Sequence, residues 1–197
     1  MSKSLSFVNV FVPKEQYKER YEIGNRTFVY IDAVYNEKQN AYECVECSVN
    51  TSEYDAAEIM NAYKSWRERL AKKALERARK CKLAEIDAYD TSTSVNGFEL
   101  NGQTVWLDKA TRVGLMNSTT IAKAMGNDTT VLWLGDMRIE VGCDKAIQLL
   151  SALEMYALEC FNVTAAHRKA VSALGSVEDV EAFDVTEGYP VRLSMTV

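Results

Sequence analysis

Proline and histidine are nearly missing from this chain of 197 residues: there are two prolines and a single histidine, His167. Glycine is also scarce, at nine residues. Collagen-like, linker-like and low-complexity chains are thereby excluded. No apolar run reaches the roughly 18 residues that a membrane helix needs. The start, Met1-Ser2-Lys3-Ser4-Leu5-Ser6, leads into an alternating segment and not into the apolar core of a secretory leader. The five cysteines are odd in number and widely spread, so reduced thiols in a protein made in the cytosol are expected. Neither Gly-x-x-x-x-Gly-Lys-Ser/Thr nor Gly-x-Gly-x-x-Gly occurs, which removes the common phosphate cradles. There is no Gly-x-Ser-x-Gly nucleophile turn.

What is present is an ordinary globular composition, 47% hydrophobic and 26% charged,. The net charge of −5 hides a strong asymmetry. From Lys64 to Lys82 nine basic residues face only Glu68 and Glu76, a local +7 that leaves −12 elsewhere. A basic segment joined to acidic bodies favours self-association or an anionic partner.

The patterning predicts an α+β fold in three parts: a small β-rich domain over 1–50, a long connecting helix over 51–89 and an α+β domain over 90–197. Leu5 to Val12 is apolar on both parities and reads as a buried strand ended by Pro13. Arg26–Tyr35 and Ala41–Val49 read as an antiparallel hairpin around a polar loop. Thr51 or Ser52 is the expected cap of the long helix, whose narrow apolar stripe is Tyr63, Trp66, Leu70, Ala74, Ala78 and Cys81. Glu68–Lys72 and Glu76–Lys80 are spaced as helical ion pairs.

In the last part, Asn101-Gly102 and Gly135-Asp136 mark two hairpins. Asp108 caps a helix with Val113, Met116, Ile121 and Ala124 on its apolar face, stopped by Gly126. Asp144 caps a strongly apolar helix, Thr164 a shorter one, and Ser176 with Asp179 one more turn. Pro190 to Val197 reads as an edge strand.

Few residues suggest chemistry. Cys44-Val45-Glu46-Cys47 is a lone Cys-x-x-Cys on a predicted strand, where the two thiols face opposite sides, and structural zinc needs about four ligands. His167 reads as a surface or internally satisfied residue. No catalytic, cofactor-binding or metal-ligating residue is assigned, and the protein is read as a non-enzyme. Trp106 and Trp133 are expected in the core. Trp66 is divided between core and interface. With Arg67, Lys72, Lys73, Arg77 and Lys80 it forms the set of interaction candidates. The basic charges run most of the way round the helix without aromatic platforms, so nucleic-acid binding is the lesser reading.

Several stretches together resemble a known family: Trp66-Arg67 leading to Ala84-Glu85-Ile86-Asp87-Ala88-Tyr89-Asp90, Val95 to Gly102, Trp106 to Arg112, Thr130 to Trp133, and Tyr156 to His167. The order and spacing of these elements are similar to an uncharacterised C-terminal domain family, domain of unknown function 4376, encoded by phages and prophages beside tail or fibre genes. The resemblance covers about half the chain and brings no catalytic residues with it. It implies a tail- or fibre-associated virion protein, made in the bacterial cytoplasm. The long narrow-striped helix between two small bodies suits a homo-oligomer in contact with other phage structural proteins, and no cofactor, membrane or small-molecule substrate is expected. A fibre-assembly chaperone missing from the virion, and a nucleic-acid binder using the basic helix, are the alternatives.

Overall fold

A computed structural model describes residues 5–197. The chain divides into two compact units, one ending at Ala74 and one from Leu75 to Val197.

In the first unit, β1 (Phe7–Pro13), β2 (Arg20–Ile23), β3 (Arg26–Asn36) and β4 (Ala41–Asn50) form one antiparallel sheet in the order β1-β4-β3-β2. The β3–β4 hairpin forms as the sequence predicts, with Tyr35 opposite Tyr42 and Phe28 opposite Ser48. Its loop closes on Asn36, whose side-chain oxygen accepts from the N–H groups of Lys38 and Gln39. The expected buried first strand is instead an edge. Val8 is 54% and Phe11 61% exposed, because a strand with one neighbour cannot be covered on both faces by a sheet this small.

After a 3-10 turn at Thr51–Glu53, α1 runs from Ala56 to Asp90. Its cap is not Thr51 or Ser52 but Asp55, whose carboxylate accepts from the N–H groups of Ala57 and Glu58,. Thr51 and Ser52 lie in the preceding turn, where Asn50 accepts from Ser52 N–H. Ile59 and Tyr63 of α1 pack on Ile31, Val45, Cys47 and Val49 of the sheet, with Phe7 and Trp66 beside them. Full burial of a side chain such as Ile59 stabilises by about 1.5–3 kcal/mol. The opposite sheet face carries stacked rings: Tyr17 on Tyr42 at 4.1 Å and Tyr21 on Phe28 at 4.8 Å.

The stripe on α1 does not run through as expected. Residues 67–74 are all exposed, Leu70 and Ala74 among them, and Cys81 is exposed too. In the second unit Ala78 packs as expected, and the other packed positions are Leu75, Leu83, the fully buried Ile86, and Tyr89. The two expected ion pairs are not formed among the described residues; Lys82–Glu85 at 2.8 Å is.

The second unit continues with α2 (Thr93–Asn96), β5 (Phe98–Leu100), β6 (Gln103–Val105), α3 (Lys109–Ala124), β7 (Thr129–Leu134), β8 (Met137–Gly142), α4 (Cys143–Ala173), α5 (Val177–Ala182) and β9 (Ser194–Met195). Both predicted hairpins are present. Asn101 and Gly102 have φ of 51° and 78°, the pair of left-handed residues that a tight hairpin requires. β9 lies at the edge of the β6-β5-β9 sheet, parallel to β5. Asp108 caps α3 through Thr111 N–H, and Ser176 caps α5 through Asp179 N–H.

Three helix expectations are corrected. On α3 Met116 packs as expected, but beside Leu115 and buried Thr119, while Val113, Ile121 and Ala124 are exposed. Asp144 does not cap α4: it lies in the first turn and pairs with Lys123. Thr164 starts no new helix, because α4 continues unbroken to Ala173. Its hydroxyl is satisfied inside the helix and beyond it, 3.1 Å from the Cys160 carbonyl, 2.7 Å from Asp90 Oδ1 and 2.8 Å from the Tyr189 hydroxyl. Leu149, Leu150, Leu153, Tyr156 and Cys160 of α4 form the core with Phe98, Leu100, Leu132 and Leu134.

Candidate functional site

The sequence candidates separate once placed. Trp66 is half-buried against Phe7 (5.5 Å) and Tyr63 (5.8 Å), so its role is packing in the first unit. Arg67 reaches Asp32, with Nη1 3.5 Å from Oδ2. Asp32 sits in a bulge of β3 with φ of 53° and also accepts from the Tyr63 hydroxyl at 2.5 Å. Lys72, Lys73, Arg77 and Lys80 are exposed and make no ion pair among the described residues. Arg79, counted with them by composition, instead donates to the Leu174 carbonyl at the end of α4.

Trp106 and Trp133 are not core residues: they are 42% and 57% exposed. Each stands between two buried neighbours, Val105 and Leu107 in one case and Leu132 and Leu134 in the other. Period-two alternation therefore turns the indoles outward.

Trp106 leads into a concave site that the sequence alone does not show. Within the second unit a cleft of about 480 Å³ lies between the Trp106–Lys109 segment, the end of α1 and the outer face of α4. Its floor is Arg112. Nε donates to Glu154 at 2.8 Å, and Nη1 donates to the Leu107 carbonyl at 2.7 Å, which fixes the Trp106 segment to α4. Asp108, at one side, is held below the usual carboxylate range by the backbone and hydroxyl hydrogen bonds from Thr111. The rim is apolar: Trp106, Leu158 and Phe161 are all exposed, Phe161 by 58%. Lys109 is the cation of the cleft without an ion pair among the described residues. Such a site suits an apolar or aromatic side chain whose neighbouring carbonyl or carboxylate meets Lys109. The one legible signal was the spacing of Glu154, Leu158 and Phe161 on one helical face.

The other candidates stay apart. Cys44 and Cys47 are buried on opposite faces of β4, and burial pushes both thiols up, Glu46 adding to it. That is the reverse of a reactive thiolate. The His167 ring packs edge-on against Phe183 (5.3 Å) and Tyr189 (5.5 Å). Among the described residues no group of three or more His, Cys, Asp or Glu is placed to hold a metal ion. Among the described residues no helix is long and apolar enough to cross a membrane.

The cleft lies inside the stretch that comparison with known families picks out. Residues 76–187, more than half of the chain, match the family described as Domain of unknown function (DUF4376), and the chain belongs to that family. No curated protein and no solved structure matches the chain.

Proposed function

We propose that this chain is a non-enzymatic structural or adaptor protein of a bacteriophage or prophage, associated with the tail or fibre. In this reading it is made in the host cytoplasm, carried in the virion, and acts as a homo-oligomer in contact with other phage structural proteins. Family membership supports it, together with the phage setting that the sequence resemblance implies. The observation that carries the contact role is the Trp106–Leu158–Phe161 rim. Three large apolar side chains are held exposed beside the paired Arg112 and Glu154, which is the composition of an interface centre and its anchors.

Proteomics of purified particles tests the reading. The chain is expected in particles, and a Trp106→Ser, Phe161→Ser double variant, folded as the wild type is, is expected to be depleted from them. Presence in infected cells but absence from particles would favour the assembly-chaperone reading. Absence from both would overturn the phage assignment.

The exposed Lys72, Lys73, Arg77 and Lys80, without ion pairs among the described residues, favour a second reading, in which this basic stretch binds nucleic acid. Binding would then weaken steeply with added salt. A flat salt response excludes it.

A further inference from the structure

The two edges of the first unit's sheet differ in kind. β2 is four residues long and carries Arg20 and Glu22, the short and charged form in which edges are normally protected. β1 is seven residues long, holds no charge, and exposes Val8 and Phe11. No described residue pairs with its outer side.

The phase of the ladder says which backbone groups are open there. Lys14 N–H donates to the Asn40 carbonyl at 3.1 Å, and β1 pairs with β4 without a register shift. Residues of even number therefore turn their N–H and C=O groups toward β4. Phe7, Asn9 and Phe11 turn theirs outward.

From Phe7 to Phe11 the strand reads Phe-Val-Asn-Val-Phe, the same in both directions about Asn9. Hydrogen-bonded and non-hydrogen-bonded pairs alternate along an antiparallel ladder. A twofold axis must therefore pass where a residue faces its own copy. With the axis at Asn9, Phe7 faces the second copy's Phe11, Val8 faces Val10, and Asn9 faces Asn9. Every outward N–H and C=O of the three odd residues then finds a partner, and like side chains meet like. The exposed Phe11 comes to lie beside the second copy's Phe7, which already packs on Tyr63 and Trp66. An axis at Val10 would instead set Phe11 against Asn9 and Phe7 against Pro13.

We propose that β1 is the interface of a twofold dimer of this chain, in which two sheets join edge to edge about Asn9 into one continuous sheet. The inference rests on the homo-oligomer of the proposed function and assigns its interface within the first unit: a monomeric wild type breaks both, whereas an oligomer indifferent to Asn9→Pro breaks this assignment alone.

The test uses the full chain and its mass in solution. Asn9→Pro removes an outward N–H and no bond to β4, so the variant should fold with unchanged thermal unfolding. Sedimentation should give twice 22.2 kDa for the wild type and the single mass for Asn9→Pro at the same concentration, with the dissociation constant raised about 100-fold. In mild oxidant, Asn9→Cys should form a linked dimer, since facing hydrogen-bonded residues lie about 5.5 Å apart. Val8→Cys, facing Val10 in this register, should not. A wild type that stays monomeric, leaving the edge to another protein's strand, overturns the proposal. So does a dimer indifferent to Asn9→Pro, or linkage through Val8→Cys as readily as through Asn9→Cys.

Discussion

In the unit ending at Ala74, backbone groups satisfy one another along strands of up to eleven residues, and side chains add ring stacks and one helix face. In the unit from Leu75 onward, β5 and β6 have three residues each and β9 two. Strands that short cannot take up the carbonyls around them. Helical side chains reach back to do it. The Tyr156 hydroxyl donates to the Val95 carbonyl at 2.8 Å, with the Cys160 thiol on the same oxygen at 3.1 Å. Arg112 takes the Leu107 carbonyl and Asn96 the Asp90 carbonyl at 2.8 Å. The first unit is thus specified by a repeating backbone pattern, the second by single side-chain contacts, of which those of Tyr156 and Cys160 to Val95 span more than sixty residues. Point changes should hurt the second unit more, and where they do not, the contrast is wrong.

The largest effect is expected at Gly97. Its φ is an ordinary −73°, so conformational freedom is not what it supplies. A Cβ there would stand 2.2 Å from the Thr93 carbonyl oxygen, a backbone atom of α2 that cannot swing away. Gly97→Ala should cost about 3 kcal/mol, the upper part of the range for overpacking, read by chemical denaturation. Hydrogen exchange should place the loss around α2 and β5. A cost under about 1 kcal/mol would mean that this corner is loosely held.

Next comes alkaline pH. Burial pushes the Tyr156 phenol up to about 12, from 10.0 in the unfolded chain. The folded state holds this proton more tightly than the unfolded one. Its contribution is therefore whole below pH 10 and is lost as pH climbs through about 12, by at most about 3 kcal/mol. Tyr156→Phe should cost about 1 kcal/mol at pH 7 by leaving the Val95 carbonyl only the weaker Cys160 thiol donor,, and it should flatten part of the alkaline decline.

A control of intermediate size lies in the first unit. Asp32 has φ of 53° and accepts from Tyr63. Asp32→Ala loses that bond and places a Cβ in left-handed backbone without a polar side chain to compensate, for about 1–2 kcal/mol. Asp32→Gly should be milder, because glycine adopts that conformation freely. Equal costs for the two would show that backbone conformation has no part in the bulge.

The same contrast explains what could be read in the sequence. Hairpins, tight turns and local caps depend on residues within a few positions of one another. The β3–β4 hairpin, the Asn101-Gly102 turn and the Asp108 and Ser176 caps were accordingly legible. Thr164 was not, because the decision to continue α4 is made with Asp90 and Tyr189, far away in sequence. The cleft was hidden for the same reason: Trp106 and Phe161 are brought together by Arg112 bonding to Glu154, which no spacing announces. Trp106 and Trp133 were misread despite a usable signal, since size suggested burial while the buried neighbours on either side set the outward phase.

The smallest effect on stability is expected at those two indoles, and it separates packing from recognition. Trp133→Ser and Trp106→Ser each remove a ring that is only partly covered, 57% and 42% exposed, so each should change stability by no more than about 1 kcal/mol. They should differ in what they do to partners. Trp133 lines no part of the Arg112 cleft, whereas Trp106 forms its rim. Trp106→Ser should therefore reduce incorporation into particles, or affinity for a partner taken from them, while Trp133→Ser leaves both near wild type. If the two variants behave alike, binding does not use the cleft, and the exposed Trp106–Leu158–Phe161 rim loses its claim to be the contact surface.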